Sequence, residues 1–186
     1  MANVFRAAEM MSENVQSYVI SCQYQVGGAD APIEDGSFVK LGELKPDKTY
    51  SEEGDKDYNV YLASAPTAVT DKVVVVDYPG VSEGAISGNS YRLGVKLFDL
   101  VAPAGRPVRA RRLALGDRFW LGKDNFNGDV VVGNIAGLEA NKTTLKDSGS
   151  QEITGGQLNV KIHLGKDFNY GQSASGKLYL CEVVGL

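Results

Sequence analysis

Short runs in which apolar and polar residues alternate recur from residue 17 to residue 184, and Gly, Pro, Asn or Asp closes most of them. A period of two puts successive side chains on opposite faces of a strand, whereas a surface helix needs apolar residues three and four apart. About ten such runs can be read along the chain, and no segment of globular length carries the helical period. Ser17–Val26 alternates with Tyr18, Ile20, Cys22, Tyr24 and Val26 on one face, and Tyr91–Val101 with Tyr91, Leu93, Val95 and Leu97. Gly36–Leu44, Tyr58–Ala63, Asp129–Gly133, Leu158–Leu164 and Lys177–Val184 also read as strands. Asp71–Tyr78 contains four consecutive valines, as expected of a strand buried on both faces. The fold class that follows is mainly β, an antiparallel β-sandwich or barrel-like domain with an extended N-terminal arm.

A chain of 186 residues with 43% apolar side chains is long and apolar enough to build a substantial core. The arm is residues 1–15 and the β-rich domain 16–186; the polar stretch 135–156 marks a break between two packed β subdomains. Val4, Phe5, Met10 and Met11 are too few for a core and too many for a free tail. The arm is therefore expected to be loosely held until it meets another copy or a partner, with Val4 and Phe5 as contact residues. The C-terminal run is expected to be a central strand, burying Leu178 and Leu180 on one face.

Between Val101 and Asp129 a Pro/Gly-punctuated turn leads into V-R-A-R-R-L-A-L, and Gly116-Asp117 then makes a tight turn into R-F-W-L. Such a dipeptide commonly joins neighbouring antiparallel strands. Arg106, Arg109, Arg111 and Arg112 form the strongest positive patch of a chain with net charge −4, and Arg109, Arg111 and Arg112 are the candidate partner contacts. Arg109 and Arg111 share one face of the strand and Arg112 takes the other. The patch suits an electrostatic docking surface or a solvated edge. The acidic balance argues against a dedicated nucleic-acid binder, which needs surplus Lys and Arg.

Residues that carry chemistry are sparse. His163 is the single histidine, so triad chemistry and most zinc sites lack a partner for it. Cys22 and Cys181 lie far apart in strand-like apolar runs and read as buried free thiols. The glycines at 80, 84 and 88 do not form a phosphate-cradling loop, and the acidic run 52–57 does not match a calcium loop. Asn125, Asn127 and Asp129 read as a solvated turn before a weak cation site. No catalytic, cofactor or metal residues are assigned, and an enzyme is not expected. No apolar run spans a bilayer and no signal-peptide core is visible, so no membrane partner is expected.

The opening M-A-N-V, the strand G-S-F-V-K-L-G-E-L, Y-L-A-S-A-P-T-A-V-T-D-K-V-V-V-V and A-G-R-P-V-R-A-R-R-L-A-L-G-D-R-F-W-L followed by D-N-F-N-G resemble small head proteins of tailed bacteriophages. The resemblance covers about residues 1–135 and the terminal K-L-Y-L-C-E-V-V, and points to capsid decoration (cement) or head-associated proteins. It implies a β-rich homo-oligomer that is made in the host cytoplasm, binds the outside of a capsid and reinforces it. The implied partners are the major capsid protein and copies of itself. Other virion modules (tail tube, baseplate, head fibre) remain rivals, as does a carbohydrate-binding sandwich stacking sugars on Trp120, Phe126 and Tyr170.

Overall fold

The alternating runs pair into two β bodies that share a core. The computed structural model describes residues 5–45, 60–78, 101–170 and 174–186. In chain order the elements are β1 (Phe5–Glu9), a one-turn helix α1 (Met11–Asn14), β2 (Val19–Val26), β3 (Ala29–Asp30), β4 (Ile33–Glu34) and β5 (Phe38–Leu44). There follow β6 (Val60–Ser64), β7 (Val73–Val76), β8 (Val101–Ala102), β9 (Val108–Arg112) and β10 (Arg118–Gly122). The last are β11 (Phe126–Asn127), β12 (Ile135–Leu138), β13 (Leu145–Asp147), β14 (Asn159–Tyr170) and β15 (Ala174–Gly185).

The first body is a barrel. Strands β2, β6, β5, β7 and β9 are neighbours in that order, and β9 pairs back onto β2 to close the ring. Only the β2–β6 pair is parallel. Closure leaves these strands no long open edge. One face of each strand fills the interior: Cys22, Val39, Ala63, Val74, Val76, Val108 and Ala110 cluster there. Beyond β2 the chain reverses through Gly27-Gly28 into β3, with φ of 60° and 82° at the two glycines. Both values lie where L-residues are strained, which is why a two-residue hairpin of this hand takes glycine.

The second body is a seven-stranded sheet in the order β1-β10-β15-β14-β12-β13-β11. Its inner face, including Phe119, Leu121, Val160, Ile162, Cys181 and Val183, packs on Phe38 and Val75 from the outer face of the barrel. The four valines of β7 are thereby explained. Val74 and Val76 face the barrel interior, while Val75 faces the sheet. The mainly β fold class is as expected, with barrel and sandwich in one molecule.

Several boundaries differ from the sequence reading. Gly116-Asp117 does not join neighbouring strands, because β9 belongs to the barrel and β10 to the sheet. The buried Asp117 carboxylate takes N–H bonds from Ala114 at 2.8 Å and from Met11 at 2.8 Å. It therefore holds the chain at the crossing between the bodies. The stretch 135–156 is not a break, since β12 and β13 lie in it, and Asp129–Gly133 is a loop leading into β12. The strand run 91–100 and the acidic run 52–57 lie outside the described residues.

The terminal strand is central, between β10 and β14, as expected. Its core face is Tyr179, Cys181 and Val183; Leu178 is buried behind it and Leu180 half-buried. Both cysteines are free and buried, and burial pushes both thiols up from their ordinary values.

The arm is corrected most. From Phe5 onward it is an integral strand, paired antiparallel with β10 through Phe5↔Leu121 and Ala7↔Phe119. Phe5 is 5% exposed and its ring centroid lies 5.5 Å from that of Phe119. Without β1 the outer edge of β10 would expose a row of unpaired N–H and C=O groups. Phe5 thus contacts its own chain's core rather than a partner, and Val4 lies outside the described residues.

Candidate functional site

The arginine cluster divides between two environments. Alternation along β9 puts Val108 and Ala110 into the barrel and Arg109 and Arg111 on its outer face. Asp77, just after the neighbouring β7, sits 7% exposed beside them. Arg111 Nε donates to Asp77 Oδ2 at 2.5 Å, and Arg109 Nη2 lies 2.9 Å from the same oxygen. Arg111 also donates through Nη1 to Ser12 Oγ at 2.9 Å, which ties α1 to the barrel. Its side chain is only 12% exposed. Arg109 and Arg111 are therefore structural ion-pair members. They are not the free docking charges that the sequence suggested.

Next to this pair lies a second buried carboxylate. Asp35 is 2% exposed and accepts the N–H of Phe5 at 2.8 Å and of Tyr78 at 2.9 Å. Asn125 Nδ2 donates to the Asp35 carbonyl at 2.8 Å, so this junction joins β1, the end of β7 and the turn after β10. Burial pushes the Asp35 carboxyl up to about 7, with Asp77 adding to the rise while the N–H donors oppose it. The folded state then holds a proton that the unfolded chain releases near 3.8. Stability from this group is complete below that value and is lost as pH rises toward 7. Asp30, Asp71 and Glu182 are shifted downward and contribute the opposite slope, only at more acid pH. The midpoint of thermal unfolding is expected to be higher at pH 5.5 than at pH 8, by roughly 5 °C. Asp35→Asn should flatten that difference. A midpoint equal or higher at pH 8 in the wild type would contradict the assignment.

Arg112 belongs to the other face. It shares parity with Val108 and Ala110, and it pairs in register with Val74. Lys72, Val74 and Val76 share one parity along β7, Tyr18 and Ile20 along the start of β2, and Val39 and Leu41 along β5. Of these, Tyr18, Leu41, Lys72, Val74 and Arg112 lie at one end of the barrel and line a cleft of about 630 Å³. Tyr18, Leu41, Val74, Leu113 and Leu158 supply apolar wall, and Lys72 and Arg112 stand exposed on the rim. Asp71 is also on the rim, but its carboxylate accepts Thr67 N–H at 2.6 Å and Ala68 N–H at 3.1 Å and lies 3.6 Å from Lys40 Nζ. Neither Lys72 nor Arg112 has an ion-pair partner among the described residues. Barrel mouths of this kind commonly bind ligands or partners.

Other candidate groups serve the fold. Phe126 is 5% exposed and meets the Tyr179 ring edge-on at 5.7 Å, so it is not a sugar-stacking platform. Asn125 is buried and accepts Gly122 N–H at 3.1 Å, and Asn127 donates to Glu139 at 2.6 Å; they do not converge on a cation. His163 Nε2 lies 2.7 Å from Glu182 Oε2, which also meets Arg118 at 3.4 Å. That is a solvent-facing cross-strand network of small energetic weight. Among the described residues no three His, Cys, Asp or Glu side chains gather as a metal site requires. No described helix is long and apolar enough to cross a membrane.

Of the five residues singled out from sequence, Arg109 and Arg112 are exposed; Arg109 is paired with Asp77, and Arg112 has no ion-pair partner among the described residues. Lys72, Tyr18 and Leu41 were missed. Alternation along β9 already sets Arg112 on the inner face, and carrying the alternation of β7 one step before Val73 would have put Lys72 there too. Their meeting at one barrel end depends on long-range strand pairing. Compared with protein-family models, with curated proteins and with solved structures, the chain matches none.

Proposed function

We propose that the chain is a virion structural protein, a decoration or cement protein that binds and stabilises the outside of a tailed-phage capsid. The supporting observation is the barrel mouth, where Lys72 and Arg112 stand over an apolar wall without an ion-pair partner among the described residues, on an otherwise acidic chain. Arg109 and Arg111 are paired with Asp77, and Arg106 lies over the Tyr78 ring. The motifs shared in kind with head proteins of tailed phages support the same reading. Many copies, each making one modest contact to the major capsid protein or to a neighbouring copy, would attach by avidity. Because they bind the assembled shell and not its dissociated subunits, they would shift the assembly equilibrium toward the shell.

Co-sedimentation of the purified chain with undecorated capsids tests this reading. Saturable binding at low salt is expected, weaker as salt rises, with the decorated shell dissociating at a higher temperature than the bare one. A chain that stays in the supernatant at every ratio and salt concentration would refute it.

A further inference from the structure

We infer that the open end of the barrel receives a short segment of a partner protein in which an acidic side chain stands next to large apolar ones. The inference rests on the capsid-binding reading for the partner's identity, but not for its chemistry.

Three observations carry it. First, Lys72 and Arg112 flank one mouth with no ion-pair partner among the described residues, and Asp71 beside them turns its Oδ2 to Thr67, Ala68 and Lys40. Unpaired cations on a rim favour an incoming anion. Second, the wall below them is apolar: Leu41, Val74, Leu113 and Leu158 come from both the barrel and the sheet. Burying an apolar side chain there removes apolar surface from water, which is favourable. Third, the cleft is bounded by exposed Ser17, Lys72, Arg112 and Leu186, so one side lies open to solvent. A small molecule would remain largely wet there, while sites that hold one usually bury most of its surface. A chain segment crossing the mouth can place one apolar side chain on the wall and one carboxylate between the cations. Arg112 offers the planar fork that matches a carboxylate, and Lys72 adds a point charge.

The test uses the intact chain and three probes: the blocked peptide acetyl-Leu-Glu-Phe-Glu-Leu-amide, its glutamine analogue and free octanoate. Binding is followed by calorimetry and by amide shifts around Tyr18 and Arg112. The acidic peptide should bind at least roughly tenfold more tightly than the glutamine peptide, with affinity falling as salt rises. Arg112→Gln and Lys72→Gln should each weaken it by roughly 2–5-fold, as for exposed ion pairs. Both variants should unfold at the wild-type temperature, because both side chains are exposed. Equal affinity for the two peptides, or unchanged affinity in both variants, overturns the inference. So does binding of octanoate with none of the acidic peptide, which makes the mouth a small-molecule carboxylate site. Peptide binding at the mouth by a chain that ignores capsids supports the inference and refutes the capsid reading alone. Capsid binding by a chain that binds neither peptide refutes the inference and leaves the capsid reading standing.

Discussion

Phe119→Ala is expected to cost about 3–5 kcal/mol of unfolding free energy, the range for emptying a fully buried aromatic site. Phe119 is 0% exposed on β10 and stands where three pieces of the fold meet. Its ring centroid lies 5.5 Å from Phe5 on β1 and 6.5 Å from Phe38 on the barrel. Truncation therefore weakens the docking of the N-terminal strand and the packing of barrel on sheet together. Relaxation cannot easily refill the space, because Val75, Leu121 and Cys181 in the same core are also 0% exposed. Urea unfolding followed by tryptophan fluorescence measures the loss, with Trp120 adjacent in sequence as reporter. A change below about 1 kcal/mol would mean that the two bodies do not share this core.

Asp77→Ala is expected to destabilise by a comparable amount, about 3–5 kcal/mol, through a different cause. The substitution leaves the Arg111 guanidinium, 12% exposed, without its carboxylate. A nearly buried charge stripped of its partner loses the attraction that offset its desolvation. Arg109, 43% exposed, can turn to water and should add little. The double variant Asp77→Ala/Arg111→Met should recover a large part of the loss, since it removes both charges. If the double variant is as unstable as the single one, the cost lies in packing around Asp77 and not in a stranded cation. Neither variant touches the barrel mouth.

Strand identity was legible wherever side chains alternate across a buried and a wet face. β2, β5, β6, β7, β9, β14 and β15 all fall within or against runs read from the sequence, because burial on one face imposes the period directly. Connectivity was not legible. Gly116-Asp117 looks like any hairpin turn, and only the Met11 N–H arriving at Asp117 from the far end of the chain shows that the turn changes sheets. The arm misled for a related reason. Its five-residue strand is too short to show alternation, and the β10 edge it covers is set by tertiary structure. β12 and β13 were hidden because strands of four and three residues are too short to show a period, and Gly137 interrupts the first. Gly137 is nevertheless required there: a Cβ at that position would lie 2.8 Å from the Leu158 carbonyl oxygen.

The site was legible in part. An Arg-rich strand announces positive charge, and its alternation correctly separates Arg112 from Arg109 and Arg111. What sequence cannot say is which face meets an acid. Asp77 lies 32 residues before Arg109 along the chain, outside any local pattern. Its pairing with β9 arises only because β7 and β9 are barrel neighbours. That one pairing converts two of three suspected docking charges into scaffold and leaves the third at the mouth.

The most direct test of the barrel mouth as the attachment site is capsid binding by a charge-reversed chain, Lys72→Glu/Arg112→Glu, measured beside a control of equal net charge. Lys146→Glu/Lys161→Glu serves as that control, since both lysines are exposed on the seven-stranded sheet. The mouth variant is predicted to lose at least roughly tenfold in affinity for undecorated capsids and most of its salt dependence. The control should bind within roughly twofold of wild type. Equal loss in both variants would reduce the effect to overall charge, and full binding by the mouth variant would contradict attachment through Lys72 and Arg112.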